Sequence, residues 1–179
     1  VEIIGGNKVI YFSTMESPID ELLLLSEGEA LSCLHMIEGK QKMAIDSAWK
    51  RDDKLPVFKS VREQLESYFA GKLKEFNIPL QMQGTDFQIK VWNELCNIPY
   101  GTTINYGQLA QRIDNPNAQR AVGLANGRNP IAVIVPCHRV IGANGSLTGY
   151  GGGLFRKEIL LNLEQGKTNK VKQLALLSI

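Results

Sequence analysis

Helix-start signals crowd the second half of this chain and constrain its fold more than any other feature. Thr85 is followed three residues later by Gln88, the spacing of a capping box. The helix it opens places Phe87, Val91 and Leu95 on one stripe. Asn105, with Gln108 at the third helical position, caps a second short helix from Tyr106 to about Arg112. Asn115-Pro116 reads as a third start, with Asn as cap and Pro in the first helical position. That helix is expected to run to about Asn126 and to stop at Gly127. Two short helices joined by a tight "DNP" turn predict a helix-turn-helix.

The first half follows another pattern. "VIYFSTM" and "ELLLLSEGEALSCLHMI" are apolar runs broken by a "SEGEA" turn, which predicts strands. Residues 56–70 predict an amphipathic helix, with Val57, Val61, Leu65 and Phe69 recurring every four residues and Gly71 as the stop. The change of pattern falls near "NIPLQMQG". The expected fold is therefore α+β: a small sheet-plus-helix domain over residues 1–80, a mainly helical domain over 81–166, and a tail over 167–179.

Charge divides at the same place. Residues 1–80 carry 10 basic and 13 acidic side chains, whereas residues 81–179 carry 10 basic and 5 acidic, so the second half is the expected face for a polyanion. No apolar run approaches the roughly 18 residues of a membrane span, and the start lacks a basic segment leading into an apolar one, so neither a membrane anchor nor a signal peptide is expected. Cys33, Cys96 and Cys137 form no short-spaced pair, which argues for free thiols in a reducing, cytoplasmic setting. With only two histidines, His35 and His138, and no C-x-x-C, no metal site is expected. "GKT" at 166–168 lacks the upstream glycine of a phosphate loop, because position 161 is Leu.

Chemistry concentrates in "VIVPCHRVIG", 134–143, where an apolar run expected to be a buried strand ends at Pro136. A free cysteine is often only a small hydrophobe. Here an imidazole adjoins Cys137 and a guanidinium follows, and both can favour the nucleophilic thiolate. On an extended strand neighbouring side chains diverge, so His138 reaches Cys137 only through a turn after Pro136 or a bridging water. In the third helix Ala118, Ala121 and Ala125 lie near one face with Arg120 beside them, a surface small enough for a nucleic-acid backbone to approach.

"IPYGTTINYGQLA", "NPNAQRAVGLANGRNP", "VPCHRVIG" and "TGYGGGLFRKEILLNLE" together resemble the O6-alkylguanine-DNA alkyltransferases. The resemblance covers about 84–165 closely and the first half more loosely. It implies direct reversal of damage in double-stranded DNA: the alkyl group of O6-alkylguanine, and of O4-alkylthymine, moves irreversibly to Cys137, once per monomeric chain and with no cofactor. In a eukaryotic source the setting would be the nucleus. His138 matches a histidine acting on the cysteine through a water, Glu158 the glutamate that orients it, and Asn129 a residue bracing the turn. Tyr106 matches a tyrosine donating toward guanine N3. Arg120 matches an arginine that fills the stack behind a flipped nucleotide, with Ala118, Gln119, Ala121, Gly123, Asn115 and Gln88 as further DNA contacts. Val140, Tyr150, Gly151 and Gly152 match walls of the base pocket, where the carbonyls of Cys137 and Val140 would read the exocyclic amine. Gly149 and Gly151 stand where some relatives carry larger residues. A DNA-binding regulator, a cysteine hydrolase and a damage-binding relative lacking the acceptor thiol are the rival readings.

Overall fold

The computed structural model describes residues 8–38 and 43–167. A four-stranded sheet of order β3-β2-β1-β4 is built from β1 (Tyr11–Met15), β2 (Leu22–Ser26), β3 (Leu31–Met36) and β4 (Lys50–Arg51). The first three form an antiparallel meander, with Met15 opposite Leu22 and Leu22 opposite Met36, while β4 lies parallel to β1. Strand β2 is buried throughout because both of its faces are covered. Leu22 and Leu24 enter the main core, while Leu23 and Leu25 join Cys33 in a smaller cluster behind the sheet.

Helix α1 (Pro56–Phe69) buries Val57, Phe58, Val61, Leu65 and Tyr68. The expected stripe ended at Phe69, but the core takes Tyr68. At 3.6 residues per turn a strict four-residue repeat drifts off the face, and a step of three restores it.

Helices α2 (Asp86–Cys96) and α3 (Tyr106–Arg112) start as expected, each with a complete capping box, Thr85 with Gln88 and Asn105 with Gln108. Helix α4 (Gln119–Gly127) does not. Asn115-Pro116 forms a turn closed by the Ala118 amide on the Asn115 carbonyl at 3.0 Å, and the helix begins four residues beyond Asn115, with no side-chain cap. Proline at the second turn position suits that turn as well as it suits a helix start. Nor does α4 stop before Gly127; Arg128 is its C-cap.

The apolar run before Pro136 is not a strand. Residue 131 makes one bridge to Leu34, and the chain then folds into successive turns through bonds from Ile134 to Ala132, Val135 to Ile131, and Cys137 to Val135. Val133 takes a φ of 69°, which no strand accommodates. A 3₁₀ turn (Cys137–Arg139) follows, then β6 (Val140–Ile141), paired in parallel with β5 (Ile104–Asn105), and finally α5 (Leu154–Glu164). One apolar core runs through both halves, from Leu24, Phe58 and Tyr68 to Trp92, Val122, Ile131 and Cys137. Among the described residues no helix is long and apolar enough to cross a membrane. Beyond Lys167 the tail lies outside the described residues.

Candidate active site

The turn carrying Cys137 is held from within. Asn129 Nδ2 donates to the Val135 carbonyl at 2.7 Å, and its Oδ1 accepts from the Ile131 amide at 3.0 Å. This lassos the turn, in which Cys137 is buried, 5% exposed. Both ends of the Asn129 amide are thus bonded within the stretch that leads into Cys137. The Cys137 carbonyl accepts from Asn126 Nδ2 at 3.4 Å.

His138 is fully buried, and its Nε2 faces Glu164 Oε1 at 2.8 Å. The carboxylate on this histidine is therefore Glu164 at the end of α5, not Glu158. The two glutamates are six residues apart on one helix, which turns them roughly 120° from each other. With Nε2 donating to Glu164, the neutral imidazole presents Nδ1 as its basic atom, and Nδ1 has no protein partner among the described residues. Arg139 is spent on the same carboxylate: Nε reaches Oε2 at 2.9 Å, Nη2 reaches Oε1 at 2.9 Å, and Nη1 donates to the Ile98 carbonyl. The Gly101 amide donates to Oε2 at 3.1 Å, and the Tyr68 hydroxyl to Oε1 at 2.7 Å.

The electrostatics follow from this geometry. Burial opposes ionisation of Glu164, but the bonds from His138 and Arg139 outweigh it and hold the carboxyl well below the usual range. Burial also pushes the His138 imidazole below 6.5 against the opposing pull of Glu164. Burial raises the Cys137 thiol, and Asn129 and Lys157 partly offset it. The charge of Lys157 acts on the thiol in the direction that favours thiolate, while Arg139 is bonded to Glu164. Lys157, brought down to about 8 by burial, donates Nζ to the Val140 and Thr148 carbonyls.

The residues matched to a base pocket are split between two spaces. Cys137, Tyr150, Gly151 and Gly152 line a cavity of about 10 Å³, together with Met36 and Asn126. That is about the room one water needs and far less than a purine requires. Tyr106, Gln119, Arg120, Gly123, Leu124, Thr148 and Gly149 line an open groove of about 630 Å³. The wall between them is the 148–152 loop. The Tyr106 hydroxyl donates to the Thr148 carbonyl at 3.2 Å. Gly149, at φ 54°, lies so close that a Cβ would come within 2.9 Å of that hydroxyl. The Val140 carbonyl, matched to amine recognition, is bonded to Lys157.

On α4, Gln119, Arg120 and Ala121 are exposed and Ala118 and Gly123 half-buried, whereas Ala125 is buried and faces the core. Leu124, one turn beyond Arg120, is 62% exposed. Asn115 is exposed in its turn, and Gln88 Oε1 accepts from the Thr85 amide in the capping box. Glu164, Lys157, Asn126 and Tyr68 escape the sequence reading. The sequence offers two glutamates on α5, and it is the structure that buries Glu164 at the end of a buried stretch and sets it against His138. All three cysteines are free, and no described cluster of His, Cys, Asp or Glu could hold a metal.

A buried thiol backed by a histidine–carboxylate pair, beside a helix-turn-helix with an exposed arginine, defines a nucleophilic-cysteine protein built on a DNA-binding scaffold. The comparisons agree. The family described as "6-O-methylguanine DNA methyltransferase, DNA binding domain" matches residues 86–166, and "6-O-methylguanine DNA methyltransferase, ribonuclease-like domain" matches residues 10–82. A Methanosarcina acetivorans protein named methylated-DNA--protein-cysteine methyltransferase is 52% identical, covering 87% of this chain and 98% of its own. A Mycobacterium tuberculosis protein of the same name is 50% identical, covering 89% and 94%. The crystal structure of the M. tuberculosis O6-methylguanine methyltransferase superposes with a TM-score of 0.82 at 50% identity, covering 88% of this chain and 94% of that one. The structure of that organism's OGT in complex with DNA gives 0.80 at 51%, with the same coverage. The chain belongs to the 6-O-methylguanine DNA methyltransferase family.

Proposed function

We propose that this chain repairs DNA by moving the alkyl group of O6-alkylguanine, and of O4-alkylthymine, onto its own Cys137, once per chain, as a monomer in the cytoplasm. The observation that carries the reading is the His138–Glu164 pair behind the thiol, in a chain of this family. Such a pair supplies base and orienter to a nucleophile. His138 Nδ1 takes the thiol proton, directly or through one water. The thiolate forms an S–C bond to the alkyl carbon as the C–O6 bond breaks, and the electron pair leaves with guanine. Tyr106, which burial keeps protonated, donates a hydrogen bond to guanine N3 and stabilises the charge on the departing base, which then takes a proton from water. The thioether is stable, and neither Cys33 nor Cys96 lines the cavity of Cys137, so the thiol is not reset.

A base in a duplex must be extruded to reach a buried thiol, at a cost of a few kcal/mol. Arg120 fills the vacated stack while Ala118, Gln119, Ala121 and Gly123 let α4 sit close to the minor groove, and Asn115 and Gln88 flank it. The cavity beside Cys137 is too small for the base, so the 148–152 loop swings off Tyr106 as the base enters, joining Tyr106 and Val140 to Tyr150, Gly151 and Gly152. The test is incubation with DNA carrying labelled O6-methylguanine. Label should appear on Cys137 and plateau at about one group per chain. Cys137→Ala should take up none while still binding DNA. Sustained turnover would instead mark a hydrolase, and label on Cys33 or Cys96 would sink the assignment.

A further inference from the structure

Tyr68 is placed where packing alone gives no reason for a hydroxyl. It lies on α1, in the first half of the chain, fully buried among Phe69, Phe76 and Tyr100, with ring centroids 5.4, 5.2 and 6.0 Å away. Phenylalanine would fill this space without the cost of burying a polar group. The hydroxyl instead spans 96 residues of sequence to reach Glu164 Oε1 at 2.7 Å, the same oxygen that faces His138 Nε2 at 2.8 Å. Burial, then the charge of Glu164, keeps the phenol protonated far above neutrality, so it is a permanent donor.

We propose that Tyr68 is a positioning residue of the His138–Glu164 pair: its hydroxyl fixes Oε1 opposite the imidazole and draws off part of the charge that His138 feels. The first half of the chain thereby takes part in setting the basicity of the group that serves Cys137. The hydrogen bond stands independently of the alkyl-transfer reading, and only its consequence for rate rests on that reading.

The other groups facing this pair come from several elements. Arg139 binds Glu164 within the same turn, and Lys157 acts on His138 from α5. The Gly101 amide and Tyr100 approach from the loop before β5, where the Arg139 guanidinium lies 5.8 Å from the Tyr100 ring, and Cys96 at the end of α2 also feels Arg139. Tyr68 alone brings a neutral donor to Oε1 from the first half among the described residues. Removing that donor leaves the oxygen more negative, which holds a second proton on the imidazole more tightly.

The chain has only two histidines, so a nitrogen-15 NMR titration of the full-length protein separates His138 from His35. Tyr68→Phe should raise the His138 midpoint by roughly half a unit to one unit. The low-pH limb of Cys137 alkylation by free O6-benzylguanine should rise with it. Replacing Tyr68 alone by 3-fluorotyrosine, a stronger donor of the same shape, should lower the midpoint, and this arm holds even if Tyr68→Phe folds poorly. Phe76→Leu, which loosens packing around the same ring, should lower Tm and leave the midpoint in place. A midpoint unmoved by the phenylalanine and fluorotyrosine changes, or moved as far by Phe76→Leu, overturns the proposal. A chain that takes up no alkyl group but shows the two opposite shifts would refute the repair reading and leave this one standing.

Discussion

At the residue scale the decisive group is Glu164, whose carboxylate collects bonds from four residues on three separate stretches of chain. Glu164→Gln keeps the shape but leaves Arg139 buried without its counter-charge. It should cost about 3 kcal/mol of stability and slow Cys137 alkylation by roughly 100-fold or more. Glu158→Gln should slow it by less than about 3-fold, because the bonded carboxylate is elsewhere. Single-turnover kinetics with free O6-benzylguanine read both variants, and the reverse order would restore Glu158 as the orienter. The same kinetics test pH. His138 is held below 6.5, and on the proposed reading its neutral form is the base, so alkylation should fall as pH drops through that lowered midpoint and stay level just above it. The residue types of this centre were legible in "PCHR", but the identity of the carboxylate was not. Two glutamates six apart on a helix are equivalent in a sequence, and only the docking of α5 against the Cys137–Arg139 turn chooses between them.

At the scale of elements, the capped helices α2 and α3 follow from local chemistry. Thr85→Ala should cost about 1 kcal/mol in chemical denaturation, the usual worth of such a cap. Helix α4 has no side-chain cap; the Asn115–Ala118 turn leads into it, and packing holds it, with Trp92 Nε1 donating to the Ala125 carbonyl at 2.8 Å near its far end. Its exposed face carries the prediction specific to DNA. Arg120→Ala should slow repair of a duplex at least about 10-fold more than reaction with the free base, which needs no extrusion. Equal slowing of the two would remove Arg120 from extrusion and return it to folding or to the thiol.

At the scale of the molecule, one core and one buried charge network join the two halves, so pH should act on the whole fold. His138 is neutral and buried, so stability is lost as pH falls through 6.5 and the unfolded chain gains a proton the folded one refuses. Glu164 has a depressed folded pKa, so its contribution is present above about 4.5 and fades as pH falls further. Calorimetry should therefore show Tm declining in two stages below neutrality, and Glu164→Gln should shrink the lower one, to which the lowered carboxyls of Glu27 and Asp53 also contribute. A Tm flat between pH 7 and 5 would contradict the burial of a neutral His138.

The sequence by itself determined the strands of the meander, helix α1, the two capped helices and the cluster of thiol, imidazole and guanidinium. Each of these is written in contacts between residues a few positions apart: a cap and its third residue, an apolar stripe, neighbours in a turn. The tertiary structure alone decided that the run before Pro136 coils into turns around Asn129, that Glu164 and not Glu158 meets His138, that Arg139 is bonded to the same carboxylate, and that Tyr68 reaches across the core. A buried charge must find its partner wherever the fold brings one within about 3 Å. The apolar periodicity of a sequence says that a helix buries one face, but not which atoms wait on the other side.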